Sequence, residues 1–330
     1  SQDQVNDFSV IWHKPDYAVE INKLNKTVHL ESGKALSYDK LLIATGSRAR
    51  IPVSAWSGMQ NVYTMRDIQD CEKLAEKFKS AENIAVIGGG WIGLEIAATA
   101  RQQGKSVEIF EYGSRLCARS VSPEVSDFLK EMHENEGTVI HLNATKLHLI
   151  EDSEQKIEVF DADIKLKKFD CVVVGAGAEI AKELASQADL VVKDGIAVNE
   201  FGQTSDPHIY AAGDCAIHPT LGFCIQSWAN AQNQAISAAK SMLGEMTAYQ
   251  DIPWLWSDQY QNNIQILGTY KPEETAHIII RKTSDTQQMM NQMNGFQYQN
   301  QYYEQGCNYN HDQNQYEMEF CCDYNHDIPY

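Results

Sequence analysis

The stretch Asn83-Ile-Ala-Val-Ile-Gly-Gly-Gly-Trp-Ile-Gly-Leu-Glu95 decides how this chain is read. A short apolar run ends in Gly88-x-Gly90-x-x-Gly93, and a helical pattern opens through Leu94, Ile96 and Ala97. Strand, glycine turn and helix, in that order, are the context in which three spaced glycines predict a dinucleotide site. Gly88 permits the tight turn, Gly90 lets backbone approach a pyrophosphate, and Gly93 lets helix and strand pack closely. The helix N-terminus then presents unpaired N–H groups to the phosphates. A second apolar run, Val107–Phe110, ends in Glu111, roughly 20 residues after the first glycine, where an acid for the ribose hydroxyls is expected. The competing reading is a buried strand and turn with fortuitous glycines.

Working outward, residues 67–189 have the pattern of a self-contained α/β unit. A helix is predicted over Ile68–Phe78, and another over Pro123–Glu136, with Ser122 as its cap, Pro123 at its first position and Gly137 closing it. Strand-like runs lie at Val139–Leu142, Ile157–Phe160 and Cys171–Val174. Before this unit, Ala18–Leu24 and Thr27–Leu30 alternate around Asn25-Lys26 as a hairpin would, and the apolar run Leu41–Ala44 ends at Thr45-Gly46. After it, residues 190–250 return to strand, turn and an Ala-rich helical segment, Trp228–Leu243. Pro253 marks a break, beyond which Ile264–Leu267 and His277–Ile280 look like strands of a further module.

At 330 residues the chain can bury a large core, and roughly two or three domains are expected. A formal charge of −18 argues against a nucleic-acid partner and against an anionic membrane surface. No apolar run reaches the length of a membrane helix, and no secretory signal opens the chain, so the expected location is cytoplasmic. The 8 Cys contain no C-x-x-C pair, so no dithiol centre is expected. Cys71, Cys117, Cys171, Cys215 and Cys224 read as reduced, mostly buried thiols.

A second chemical motif is Ile209-Tyr-Ala-Ala-Gly-Asp-Cys-Ala216, an apolar strand ending in Gly213-Asp214. An Asp at the carboxyl end of a strand can accept hydrogen bonds from a polyol. Its alternative is an ordinary helix cap. Four stretches now stand in order: Leu42-Ile-Ala-Thr45-Gly46, Gly88-x-Gly90-x-x-Gly93-x-Glu95, Val174-Gly-Ala-Gly177 and Tyr210-Ala-Ala-Gly213-Asp214. With them the chain resembles the flavoprotein reductases with two dinucleotide-binding domains. Ser227-Trp228-Ala-Asn230-Ala-Gln232-Asn-Gln234 and Pro253-Trp254-Leu-Trp256-Ser257-Asp258-Gln259-Tyr260 narrow the resemblance to the NADH:ferredoxin reductase components of aromatic-ring dioxygenases, phenylpropionate and biphenyl systems above all. It covers residues 1 to about 282.

The resemblance implies an α/β fold with two Rossmann-like domains, the first incomplete, plus part of an α+β interface domain. It assigns 1–66 and 190–252 to FAD, 67–189 to NAD, 253–286 to the start of the interface domain, and leaves 287–330 as a divergent tail. Thr45, Gly46 and Arg66 would lie beside FAD, Asp214 with Gly213 would hold its ribitol, and Trp228 and Trp256 would sit near the isoalloxazine. Gly177 would belong to the cofactor-binding set. Ile92 and Glu95 would approach the nicotinamide, and Glu111 would bind the adenosine ribose. A carboxylate there repels a 2′-phosphate, which favours NADH, although Arg115 or Arg119 could accept one. The implied activity is hydride transfer from NADH to FAD and single-electron transfer to a small 2Fe–2S ferredoxin that serves the dioxygenase. The flavin performs the chemistry, so no catalytic side chain is expected. A rival is an NADH-binding module without FAD or turnover, and a weaker one is a related reductase using rubredoxin or a quinone.

Two departures from the family pattern stand out. Nothing before Ile43 supplies the family's own strand–glycine turn–helix for the ADP half of FAD, so an N-terminal truncation and weak FAD retention are expected. The end of the chain, rich in Gln, Asn and Tyr and without Lys or Arg after Lys282, does not continue the interface domain. It does repeat Cys307-x-x-x-His311 and Cys322-x-x-x-His326. Two Cys and two His can bind zinc tetrahedrally, but low-complexity duplication is the preferred reading and no metal is expected. The remaining His residues are dispersed, and His133 reads as packing or solvent-facing.

Overall fold

The computed structural model describes residues 10–162 and 164–270. The chain divides into two units, 10–48 with 179–253 and 49–178 with 254–270.

The second unit is built on a five-stranded parallel sheet. Its strands run in the order Val62–Tyr63, Cys171–Val174, Asn83–Ile87, Ser106–Phe110 and Val139–His141. Parallel strands are buried on both faces and therefore read as continuous apolar runs. Alternation then sorts the side chains into two layers. Ile84, Val86, Val107, Ile109, Cys171 and Val173 join one core with Leu94, Ala97 and Leu129 of the helices. Ala85, Ile87, Phe110, Val172 and Val174 join the other. That second layer is closed by an antiparallel meander, Leu147–Glu151, Ile157–Asp161 and Ile164–Phe169, which supplies Leu149, Ile157, Val159 and Phe169. One polar group shares this side: Glu108, whose carboxylate takes Lys167 at 2.9 Å and His141 at 2.8 Å.

In the first unit, Ala18–Asn22, Thr27–Leu30 and Ala35–Ser37 form an antiparallel meander, and Leu41–Ile43 pairs in parallel with Ile209–Ala211. The short helix Glu183–Gln187 packs on the first of these strands. Ile21, Ile43, Ala185, Ile196, Ile209, Ala211 and Cys215 are its core.

These boundaries differ from the expected ones at 66/67 and 189/190, for identifiable reasons. Trp56 is buried among Ala85, Ile87 and Phe169, and Val62 and Tyr63 pair with Val172 and Val173, which draws 49–66 into the second unit. Ala185 and Ala188, in turn, bind 179–189 to the first unit. The chain crosses on Ser47–Ala49 and Ala178–Ile180, which pair as a two-stranded sheet. The strands beyond Pro253 do not form a separate module among the described residues. Trp254–Gln259 and Asn262–Leu267 make a hairpin on the helix Trp91–Gln102, and Ile264 and Ile266 enter that helix's core. The predicted strand His277–Ile280, the rest of 253–286, the tail 287–330 and the repeated Cys/His pairs lie outside the described residues.

The hairpin about Asn25-Lys26 and the helix Ile68–Phe78 form as expected, and Trp228–Met242 matches the Ala-rich segment to its penultimate residue. The helix Pro123–Asn135 also forms, with Gly137 at φ +82° after it, but Ser122 does not cap it through its side chain. That hydroxyl is buried and has no hydrogen-bond partner among the described residues. Asp67, by contrast, accepts from Asp70 N at 2.9 Å at the start of Ile68–Phe78. Chemical denaturation should separate the two. Asp67→Ala should lose about 1 kcal/mol, the usual worth of an N-cap acceptor. Ser122→Ala should change stability by less than about 0.5 kcal/mol, because no bond is lost and an unpaired buried hydroxyl is removed.

Candidate dinucleotide and flavin sites

The glycine turn follows the strand Asn83–Ile87 at the carboxyl edge of the parallel sheet, where open α/β sheets bind ligands. Gly88 has φ +108°, and a Cβ there would stand 2.5 Å from the Gly175 carbonyl oxygen. A Cβ on Gly93 would stand 2.0 Å from the Gly88 carbonyl oxygen, and one on Gly175 3.2 Å from Gly93 N. Three backbones meet here with no room for a side chain. Gly90 differs. Its backbone is extended, at φ −87° and ψ −179°, and a Cβ would meet nothing within 4 Å. The fold therefore does not require glycine at 90, and the space beside it is open for a ligand.

Glu111 closes the strand Ser106–Phe110, and its carboxylate spans two turns. Oε2 accepts from Gly89 N and Oε1 from Gly113 N, each at 2.6 Å. A carboxylate has about four acceptor positions, so two remain for a ribose diol. Arg115 is committed elsewhere: its guanidinium donates to the carbonyls of Val121 and Ala118 and to Ser126 Oγ. Arg119 has its Nη2 3.4 Å from where a Cβ on Gly177 would stand. Gly177, φ +93°, accepts from Arg50 N just before the crossing.

On the helix Trp91–Gln102, Ile92 is 42% exposed and Glu95 is half-buried. Burial raises the Glu95 pKa, opposed by a hydrogen bond from Ser257 Oγ at 2.6 Å and reinforced by the charge of Asp258. Ser257 in turn meets Gln259, and Gln259 meets His133. His133 is neither solvent-facing nor simple packing. It is fully buried, hydrogen-bonded through both ring nitrogens, and held below the usual imidazole pKa by burial. Ser257 and Gln259 stand inside the string that carried the resemblance, yet sequence reasoning gave them no role. The signal was two polar residues at i and i+2 on one strand face.

In the first unit, Thr45 and Gly46 (φ +67°) follow the strand Leu41–Ile43, and Thr45 Oγ1 donates to the Ala181 carbonyl at 2.5 Å. Gly213 (φ +78°) and Asp214 follow its parallel partner Ile209–Ala211. Ser47, which sequence reasoning passed over, is buried and donates to Asp214 Oδ2 at 2.8 Å. Asp214 lies inside a short 3-10 turn whose N-cap position is Ala212, and the Ala-rich helix that follows is capped by Ser227, so Asp214 occupies neither cap position. Gln234 is 1% exposed. Its Oε1 accepts from Gly213 N at 2.8 Å, while Nε2 is buried with no partner among the described residues. Trp228, 65% exposed, opens the helix Trp228–Met242, whose cap is Ser227. Two adjacent glycine-type turns, a carboxylate and an orphaned buried donor fit a polyol-bearing cofactor. Arg66 and Trp256 belong to the second unit: Arg66 N donates to Asp70 Oδ2, and Trp256, 39% exposed, stacks at a tilt on Trp254.

Of the cysteines, Cys117, Cys171 and Cys215 are buried, Cys224 is partly so, and Cys71 is exposed. Burial pushes the Cys171 thiol up to about 12 and Cys224 up to about 11, far from thiolate chemistry at neutral pH. Among the described residues no cluster of three or more His, Cys, Asp or Glu is placed to hold a metal, and no helix is long and apolar enough to cross a membrane.

The chain is 35% identical over 252 residues to the 3-phenylpropionate/cinnamic acid dioxygenase ferredoxin–NAD(+) reductase component of Photorhabdus laumondii, covering 75% of this chain and 64% of that protein. It is 37% identical over 263 residues to the anthranilate 1,2-dioxygenase system ferredoxin–NAD(+) reductase component of Burkholderia cepacia, covering 78% and 64%. The chain thus spans a little under two thirds of the length of these relatives. Its structure matches the ferredoxin reductase for the CYP199A2 system from Rhodopseudomonas palustris with a TM-score of 0.78 at 31% identity, covering 84% of this chain and 70% of that one. The reductase in the covalent putidaredoxin reductase–putidaredoxin complex matches equally, with a TM-score of 0.78 at 32% identity and coverage of 86% and 70%. The pattern of the pyridine nucleotide-disulphide oxidoreductases matches residues 3–235, and the chain belongs to that family.

Proposed function

We propose that the chain is an FAD-dependent NADH:ferredoxin reductase component, passing electrons from NADH to a small 2Fe–2S ferredoxin that serves an aromatic-ring dioxygenase. The observation that carries this reading is the glycine turn: a backbone-tight Gly88–Gly93–Gly175 contact beside an open Gly90, with Glu111 across it. The relatives named as ferredoxin–NAD(+) reductase components support the choice of acceptor. We place it in the cytoplasm, the compartment that supplies NADH.

The second unit does the nucleotide binding. The amides at the start of Trp91–Gln102 receive the pyrophosphate, favoured by the helix dipole. Glu111 takes the adenosine ribose hydroxyls and repels a 2′-phosphate, and Arg115, spent on its own loop, does not offset that repulsion. Ile92 and Glu95 face the nicotinamide. In the first unit, Asp214, steadied by Ser47, accepts from the ribitol of FAD, and Gln234 Nε2 is a ready donor beside it. Thr45, Gly46 and Trp228 line the same cofactor. FAD, when bound, supplies the conversion of a two-electron donor into single electrons, and the protein supplies binding and orientation.

The direct experiment is anaerobic. The chain is supplied with FAD, titrated with NADH, and then mixed with an oxidised 2Fe–2S ferredoxin. The expected result is loss of the oxidised-flavin visible band, followed by ferredoxin reduction. NADH binding without any flavin reduction would favour the module that lacks turnover, and reduction of rubredoxin but not of the 2Fe–2S protein would favour the other reductase.

Two substitutions separate ligand from fold. Gly90→Val should leave circular dichroism unchanged and weaken NADH binding at least about tenfold, about 1.4 kcal/mol. Gly93→Ala should lower the unfolding midpoint as well, because its Cβ would meet the Gly88 carbonyl. Glu111→Ala should reduce the preference for NADH over NADPH by about tenfold or more, given about 1.5–3 kcal/mol per hydrogen bond to a charged group. An unchanged preference would remove Glu111 from the ribose site.

A further inference from the structure

The strand Trp254–Gln259 carries an anomaly. Its outward residues include Trp256 and Asp258, while its inward face holds Ser257 and Gln259, each 1% exposed. Polar side chains buried this deeply cost free energy unless they are hydrogen-bonded. Here they are, in a single line. Ser257 Oγ lies 2.6 Å from Glu95 Oε1, Gln259 Nε2 lies 2.9 Å from Ser257 Oγ, and Gln259 Oε1 lies 2.9 Å from His133 Nε2. The Tyr260 hydroxyl lies 3.0 Å from His133 Nδ1 and 3.4 Å from Thr138 Oγ1.

The carboxylate at one end fixes every proton in the line. It can only accept, so Ser257 donates to it. The Ser257 oxygen must then receive the Gln259 amide N–H, which turns the Gln259 carbonyl toward His133. His133 therefore carries its proton on Nε2, and its bare Nδ1 accepts from Tyr260. This is the neutral tautomer, consistent with an imidazole whose pKa burial depresses. Donors aligned head to tail polarise one another, so the bond onto Glu95 is the strengthened end of the line. Three elements are joined by it: the helix Trp91–Gln102, the strand Trp254–Gln259 and the last turn of the helix Pro123–Asn135.

We propose that Ser257, aligned by Gln259 and His133, is the positioning residue that turns the Glu95 carboxylate toward the nicotinamide of bound NADH. The proposal rests on the reading of Glu95 as the side chain beside the nicotinamide. With Oε1 held by Ser257, the rotation of the carboxylate is fixed and Oε2 is left to accept from the carboxamide N–H of the ring. A purely structural role would stabilise the second unit without distinguishing one end of the nucleotide from the other. A positioning role acts at the nicotinamide end alone.

ADP-ribose, which lacks the nicotinamide, makes that distinction. Equilibrium dissociation constants for NADH and ADP-ribose are measured on the full chain for the wild type, Ser257→Ala, Ser257→Thr, His133→Phe and the Ser257→Ala/His133→Phe pair, with unfolding midpoints recorded alongside. The ratio of the two constants cancels any general loss of folded protein. Ser257→Ala should weaken NADH about tenfold, about 1.4 kcal/mol, and leave ADP-ribose unchanged. Ser257→Thr, which keeps the hydroxyl, should restore the ratio. His133→Phe should move the ratio the same way by a smaller factor, and should add nothing once Ser257 is Ala. Equal weakening of both ligands by Ser257→Ala, an unchanged ratio, or independent effects of the two substitutions would overturn the proposal. Glu95→Gln tests the underlying reading separately. If it leaves the ratio unchanged while the wild type binds both ligands, Glu95 is not at the nicotinamide, and if the wild type binds neither, the nucleotide site itself is refuted.

Discussion

Everything in the second unit depends on one close approach of backbone to backbone. The helix Trp91–Gln102 can lie on the strand Asn83–Ile87 only because Gly93 brings no Cβ against the Gly88 carbonyl, and Gly175 completes the contact from the neighbouring strand. That contact aims the helix N-terminus at the carboxyl edge of the sheet, where an anion is best received. It also sets the helix's outer residues. Ile92 and Glu95 follow from the same helix, and Glu95 is then within reach of a strand more than 150 positions later in the chain, at Ser257.

How much of this was legible depended on whether the determining forces were local. The buried parallel strands were readable because burial on both faces leaves unbroken apolar runs, as at Asn83–Ile87 and Cys171–Val174. The glycine turn was readable because only glycine meets its steric demands. The strand Ile164–Phe169 was not. Its lysines look like a solvated stretch, yet Lys165, Lys167 and Lys168 reach Glu158, Glu108 and Asp152, while Phe169 fills the core beneath. The unit boundaries were also illegible. Gly46, Ser47 and Pro52 flank 48/49, but they read as an ordinary turn rather than as a boundary between units. The boundary is set by pairing of Val62 and Tyr63 with Val172 and Val173, an interaction across more than 100 positions.

Side-chain roles followed the same division. Gly90 was singled out by its spacing in the glycine motif, and Gly213 by its place at the end of an apolar strand together with the family resemblance. Ser122 was assigned a capping bond from its position before Pro123, but its hydroxyl points into a buried site with no acceptor or donor among the described residues. His133 showed no periodic or motif signal, because its partners lie on another element entirely. Ser47 acquired meaning only when the parallel pairing of Leu41–Ile43 with Ile209–Ala211 brought it beside Asp214.

The central claim is that the glycine turn of the second unit receives NADH, with its ribose at Glu111 and its nicotinamide at Glu95. A crystal structure of the chain soaked with NAD+ tests it most directly. The account predicts a pyrophosphate over Gly90 at the start of the helix Trp91–Gln102, an adenosine ribose diol on the Glu111 carboxylate, and a carboxamide on Glu95 with Ser257 still bound to Oε1. A nucleotide bound anywhere else on the second unit, or a ribose turned away from Glu111, would contradict it.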